Sequence, residues 1–334
     1  MQVQRLPVPL TECCLLEERD VMDDEGGIYI VVKNQNGGDI YKQRYDEYLA
    51  NPNPNILSYR YGNELFDILF SLGKIRLNPD NNKEFVGTWL VKTHPSVLAM
   101  QLTGKVAEAV IVKRCNQDPE INKKWLGVAR RKPIRIDSAA KFKAIGTGFQ
   151  STRVSYLPKY SPSDPQRDIV WLNEKTKRLA SMFIRLPEND GLASDNDALK
   201  EGGSDEDESL YAGLQIKAST DGITYILTDF QRGKYEVPVV YFGINNDFEL
   251  LADNLLHSMG ERIIIGEDLV NAAAIDRGAY DQVCSYYYLI YALVTQRIRP
   301  GDLLARRDNL LQNAMLSSAL ESTNSQHIIL PDGM

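Results

Sequence analysis

Histidine and cysteine are scarce in this chain of 334 residues: three histidines (His94, His257, His327) and four cysteines (Cys13, Cys14, Cys115, Cys284). No histidine lies near another histidine or a cysteine, and the adjacent Cys13 and Cys14 form neither a CxxC ligand pair nor a usual disulfide. Zinc chemistry and a Cys/His nucleophile are thereby set aside, and the cysteines read as reduced and structural. Long apolar runs are missing as well. The richest, Tyr286 to Thr295, is far shorter than the roughly 18 residues a membrane span needs. The segment Met1 to Asp20 lacks a basic stretch followed by an apolar one, so no secretory signal is expected and the expected compartment is the cytoplasm. Ala144 to Phe149 (AIGTGF) holds two glycines but completes neither GxxxxGK[ST] nor GxGxxG, which argues against a nucleotide phosphate loop.

What is present is an ordinary globular composition, 43% hydrophobic and 25% charged, long enough for two compact units or one core with large extensions. The net charge of −7 conceals a strong polarity. Ile121 to Tyr160 carries ten basic residues against Asp137 alone, whereas Leu186 to Leu210 carries nine acids against Lys200 alone. The acidic stretch is poor in apolar residues and rich in Gly, Ser and Asp, so it reads as a mobile insertion, residues 187–209. As a flap, it would cover the basic segment until substrate displaces it. Deletion of Asp195 to Glu208 should then raise DNA affinity.

The periodicity predicts an α/β (α+β) protein in three parts. Residues 1–95 form an N-terminal α+β module, with a strand at Gly27 to Lys33, a helix at Asn63 to Leu72, and turns at NPNPN and NPDNN. Residues 96–250 form a core that opens with a helix capped by Ser96 and running to Cys115. Its strands are expected at Ile169 to Leu172, Leu210 to Ala218, Ile223 to Leu227 and Val237 to Ile244. Residues 251–334 read as helices, with one long helix from Glu267 to Ile298 and another through Leu320 after a break at RPGD. The tyrosines at 280, 286, 287, 288 and 291 read as helix packing.

One constellation carries chemistry. Side chains alternate along a strand, so GLQIKAS (Gly213 to Ser219) presents Gln215 and Lys217 on one face. An amide oxygen two residues from an ammonium suits a divalent metal site in which the lysine orients a water and stabilises developing phosphorane charge. Asp168, at the head of DIVWL, supplies one carboxylate, and Glu108, within GKVAEAV, supplies a second. Asp164 and Asp190 are rivals, but neither heads a comparable apolar strand. The alternatives for each are a solvated lysine on an edge strand, a glutamate on the wet face of a helix and a turn aspartate.

In the order helix Glu, strand Asp, then Gln-x-Lys on the next strand, the stretch from Ser96 to Asn246 resembles the PD-(D/E)xK nuclease superfamily, in its Gln-x-Lys variant. The resemblance implies a restriction-endonuclease-like core with a mixed central sheet and flanking helices, and Mg²⁺-dependent (or Mn²⁺-dependent) hydrolysis of a phosphodiester. Asp168 would be the principal metal ligand, Gln215 would add its side-chain oxygen, Lys217 would position the water, and Glu108 would support the metal or its waters. The 46 residues between Asp168 and Gln215 exceed the usual short hairpin, and the acidic insertion accounts for most of that excess.

The basic segment points to a nucleic-acid partner, because Lys and Arg neutralise phosphates and release counterions. Lys123, Lys124, Arg130, Arg131, Lys132, Arg135, Lys141 and Lys143 are the candidate contacts, with Trp125, Phe142, Phe149 and Tyr156 as stacking surfaces. The expectation is a nuclease acting on DNA, with RNA still open, as a homodimer or higher oligomer in bacterial anti-phage defence or restriction. The alternative is a catalytically silent nuclease-fold subunit that binds nucleic acid or assembles with a partner ATPase or helicase. An α/β protein without any nucleic-acid role is a third possibility.

Overall fold

The computed structural model describes residues 16–19, 29–33, 39–44, 47, 50–89, 94–183 and 211–304. Two compact units emerge, one from Met1–Lys92 with Tyr288–Met334 and one from Thr93–Tyr287. The acidic insertion, its flap hypothesis, Asp190 and the helix expected through Leu320 lie outside the described residues.

In the first unit, β1 (Leu16–Arg19), β2 (Tyr29–Lys33) and β3 (Asp39–Arg44) form an antiparallel meander. Helix α1 (Pro54–Ser71) follows, then the hairpin β4 (Ile75–Asn78) and β5 (Asn81–Gly87). Leu65, Phe66 and Leu69 recur at helical spacing on α1 and are buried. Phe66 meets Phe85 of β5 edge to face, ring centroids 4.8 Å apart. Strand β2 makes up the described part of the predicted strand, and α1 contains the predicted helix except for Leu72 and begins nine residues earlier. NPDNN makes the β4–β5 turn, where the Asn78 side chain accepts from the Asp80 amide.

The second unit begins with α2 (Pro95–Gln117), α3 (Pro119–Ala129) and a short α4 (Ile136–Ala139). Then come β6 (Phe142–Gly146), α5 (Gln150–Ser155), β7 (Ile169–Asn173), β8 (Gly213–Ser219), α6 (Gly222–Gln231), β9 (Val239–Gly243) and α7 (Phe248–Met259). It closes with β10 (Leu269–Asn271), α8 (Ala272–Ile275) and the first part of α9 (Arg277–Val294), whose residues from Tyr288 onward belong to the first unit. The result is a mixed α+β architecture around a five-stranded sheet of order β10-β9-β8-β7-β6. Strands β8, β9 and β10 run parallel, joined through α6 and α7, and β7 and β6 are antiparallel. Helix α2 is long and apolar enough to cross a membrane by length and composition, yet half of that window is buried inside the protein. It packs against β6 and β8 as a core helix.

Three local expectations are corrected. Ile223 to Leu227, expected as a strand, lies in α6. Asp221 caps that helix by accepting from the Thr224 amide at 3.2 Å. Ile223, Ile226, Leu227 and Phe230 then fall on one helical stripe, packed on Val239, Tyr241, Leu251 and Leu255. The cap and the 3.6-residue spacing outweigh the β-branched composition. The helix expected from Glu267 instead begins with β10, whose Leu269 and Val270 are buried beside β9. Gly266, at φ +94°, turns the chain into that strand, and Asn271 then caps α8 by accepting from the Ala273 amide. Helix α2 starts at Pro95 after His94 rather than at Ser96, whose hydroxyl bonds to His94 Nδ1 at 2.8 Å.

Beyond β7 the chain is held together on both sides of a long connection. Ser181 bridges Tyr211, and the Ala212 amide donates to the Ala180 carbonyl at 2.7 Å.

Candidate active site

Strand β9 pairs with β8 from Gln215 to Ser219, but β7 pairs with it only at Leu214 and Gly213. Past that point, among the described residues, no strand pairs with the β7 side of β8. Asp168 stands at the fork. Its backbone amide donates to the Leu214 carbonyl at 2.9 Å, and its carbonyl accepts from the Thr147 amide at 2.9 Å, so both flanking strands fix it. Thr147 Oγ1 also donates to the Arg167 carbonyl at 2.7 Å. The Asp168 carboxylate turns inward. Oδ2 accepts from the Ile216 amide at 2.9 Å and from Gln215 Nε2.

Helix α2 brings Glu108 to the same place. Glu108 is 3% exposed, so it does not lie on a wet face, and its Oε2 is buried with no hydrogen-bond partner. Lys105, one turn earlier, donates to Glu108 Oε1 at 2.7 Å and to Asp168 Oδ1 at 3.4 Å. Sequence reasoning missed Lys105 as a site residue. The signal was its i, i+3 spacing from Glu108, which places both on one helix face.

The electrostatics follow from burial. Glu108 is pushed up to about 8, first by desolvation and then by the neighbouring Asp168 carboxylate, with Lys105 opposing. Burial works against the charge of Lys105 too, but the attraction of Glu108 and Asp168 outweighs it and raises its basicity. Lys217 is half-buried on a central strand rather than an edge strand, and burial lowers its basicity despite the pull of Asp168. Its ammonium lies 5.3 Å from the centre of the Tyr235 ring.

Three of the sequence-derived residues, Asp168, Gln215 and Glu108, thus meet where β7 stops pairing with β8, through the Gln215–Asp168 hydrogen bond and the Lys105 bridge between Asp168 and Glu108. Lys217, two residues along β8, feels the charge of Asp168 but lies against Tyr235. Among the described residues no group of three or more His, Cys, Asp or Glu side chains forms, so the donor set is two carboxylates and an amide. These are hard oxygen ligands of the kind Mg²⁺ and Mn²⁺ take. Glu108 Oε2 has no hydrogen-bond partner, and once the carboxyl loses its proton that oxygen would offer lone pairs to such an ion. Asp164, the rival, spends its carboxylate on a turn, accepting from the amides of Gln166 and Arg167.

The basic segment is divided by the fold. Lys124, Lys132, Arg135, Lys141 and Lys143 are exposed, and Lys123 pairs with Glu120 at 3.1 Å. Arg130 is buried and donates to the Ser181 carbonyl at 3.2 Å, and Arg131 pairs with Asp268 at 2.9 Å. Trp125 is fully buried, so it offers no stacking face, whereas Phe142, Phe149 and Tyr156 are half-buried. Tyr280, Tyr286 and Tyr287 are buried, with Tyr280 stacked on Phe242. No family model, curated protein or solved structure matches the chain.

Proposed function

We propose that this chain is a Mg²⁺- or Mn²⁺-dependent nuclease of the PD-(D/E)xK kind that hydrolyses phosphodiester bonds in DNA. The observation that supports the reading is the meeting of Asp168, Glu108 and Gln215, from a strand head, a helix and a central strand, with Lys217 two residues farther along the same strand as Gln215. Asp168, Glu108 and the Gln215 side-chain oxygen would hold the cation. A divalent ion there supplies Lewis acidity at the phosphoryl oxygen and a more acidic water. Lys217 orients the attacking water through its N–H donors and stabilises charge on the phosphorus centre, while the two anchored strands keep Asp168 fixed. The exposed lysines and Arg135 hold the phosphate backbone. A cytoplasmic homo-oligomer, with two sites facing the two strands of a duplex, suits an anti-phage or restriction role.

One observation favours a second reading. Gln215 turns its amide N–H toward Asp168, leaving the site one oxygen donor short. A silent nuclease-fold subunit that binds nucleic acid beside a partner ATPase or helicase would have that geometry. The test compares wild type, Lys217→Ala and Asp168→Asn on plasmid, single-stranded DNA and RNA, with Mg²⁺, Mn²⁺ or EDTA, while binding is recorded separately. Metal-dependent cleavage that both variants lose, with binding retained, supports the nuclease. Binding without cleavage under every condition supports the silent subunit.

A further inference from the structure

We propose that Lys105 is a built-in counter-ion of the carboxylate pair, one that a divalent cation must displace and that then turns to the substrate phosphate. This rests on the nuclease reading, in which Asp168 and Glu108 receive the metal. The geometry is specific. The ammonium lies 2.7 Å from Glu108 Oε1 and 3.4 Å from Asp168 Oδ1, bridging two carboxylates contributed by a helix and a strand head. A single cationic group at that point satisfies one oxygen of each carboxylate, and Glu108 Oε2 stays without a partner. A divalent ion coordinating both carboxylates takes the same space and the same lone pairs, and like charges a few ångströms apart exclude one another.

Of the three side chains, only Lys105 is built to leave. Its side chain is 42% exposed, against 3% for Glu108 and 11% for Asp168. Its four-carbon stem is flexible, whereas Asp168 is held by the Ile216 and Gln215 donors. With both carboxylates ionised, exchange of one ammonium for a divalent ion leaves them neutralised and puts a free positive charge at the mouth of the site. That charge is available to a phosphate only after the metal has entered. Lys105 therefore makes the empty site stable and poor at binding substrate, and couples metal loading to substrate capture.

The test is calorimetric titration of Mn²⁺ into the full chain without nucleic acid, using wild type, Lys105→Met, Lys105→Arg and Asp168→Asn. Lys105→Met keeps the apolar stem and removes the charge, and should bind Mn²⁺ on the order of tenfold more tightly than wild type. Lys105→Arg should stay close to wild type. Equal affinity in wild type and Lys105→Met, with binding lost in Asp168→Asn, overturns the counter-ion role and leaves the nuclease reading intact. No saturable binding in any variant overturns both. A measurement that needs no folded Met variant is the ζ-nitrogen resonance of Lys105 in ¹⁵N-lysine-labelled wild type, assigned by its loss in Lys105→Arg. It should move toward the value of a solvated lysine as Mg²⁺ is added, and a resonance unmoved at saturating Mg²⁺ overturns the proposal.

Discussion

The carboxylate of Asp168 accepts the backbone amide of Ile216 at 2.9 Å, so a side chain takes over the ladder of β8 just where β7 leaves it. An unpaired strand amide at that edge would otherwise need another partner. The same bond aims the remaining carboxylate oxygen, Oδ1, toward Lys105. On the proposed function, structural and chemical duties therefore meet in one residue.

On the nuclease reading, Asp168→Asn should lower cleavage by at least about 10²-fold, since it deletes the charge that a bound metal and its water would depend on. An amide oxygen still accepts from Ile216, so the melting temperature should change little. Parallel activity and thermal-melting measurements check both halves.

Stability should fall as pH rises through the window set by Glu108. Its carboxyl titrates near 4.5 in the unfolded chain and about 8 in the folded one, so the stabilising contribution is complete below 4.5 and lost by about 8. Across that window the slope approaches about 1.4 kcal/mol per pH unit in metal-free buffer. Glu108→Gln should flatten it, as urea unfolding at a series of pH values would show. For the same reason, Mg²⁺ binding below pH 8 should release a proton, visible as a buffer-dependent heat.

Gln215→Glu adds a carboxylate against Asp168. In EDTA it should lower the melting temperature by like-charge repulsion, and in Mn²⁺ it should tighten metal binding. A variant with unchanged metal affinity would place Gln215 outside the coordination shell.

Asp221→Ala should cost about 1 kcal/mol, because it deletes the cap that makes α6 a helix. Chemical denaturation with helix content followed by circular dichroism is the check.

Arg114 holds Asp276 with two hydrogen bonds of 2.7 and 2.9 Å, tying α2 to the residue between α8 and α9. Burial works against the Asp276 charge, but Arg114 outweighs it and keeps that carboxyl below its usual range of about 3.8. Its contribution is therefore present above that pH and lost in acid. Arg114→Ala leaves a buried charge unpaired and should cost about 3 kcal/mol at neutral pH.

Much of the site was legible because strand alternation is local. Gln215 and Lys217 share a face by parity alone, and Asp168 announces itself as the polar head of an apolar strand. Lys105 was only partly legible: its i, i+3 spacing puts it on the face of Glu108, but its approach to Asp168 follows only once the helix is docked. Local composition also misled at Ile223 to Leu227. A β-branched run reads as a strand, yet a cap three residues ahead of Thr224 and a buried partner surface decide for helix. The basic segment shows the complementary limit. Charge counted along the chain does not reveal that Arg130 faces inward or that Asp268, far away in sequence, neutralises Arg131.

Ser181 and Tyr211 already touch as bridge partners, and Ala180 and Ala212 are joined by a hydrogen bond. The two ends of the connection between them therefore meet like the jaws of a socket, so their separation is independent of what is plugged in. The entropy of closing a longer or shorter segment there changes only slowly with its length. That position is the natural splice point for a fluorescent or affinity module whose own termini lie side by side, inserted into the sequence without disturbing the strands that carry Asp168 and Gln215.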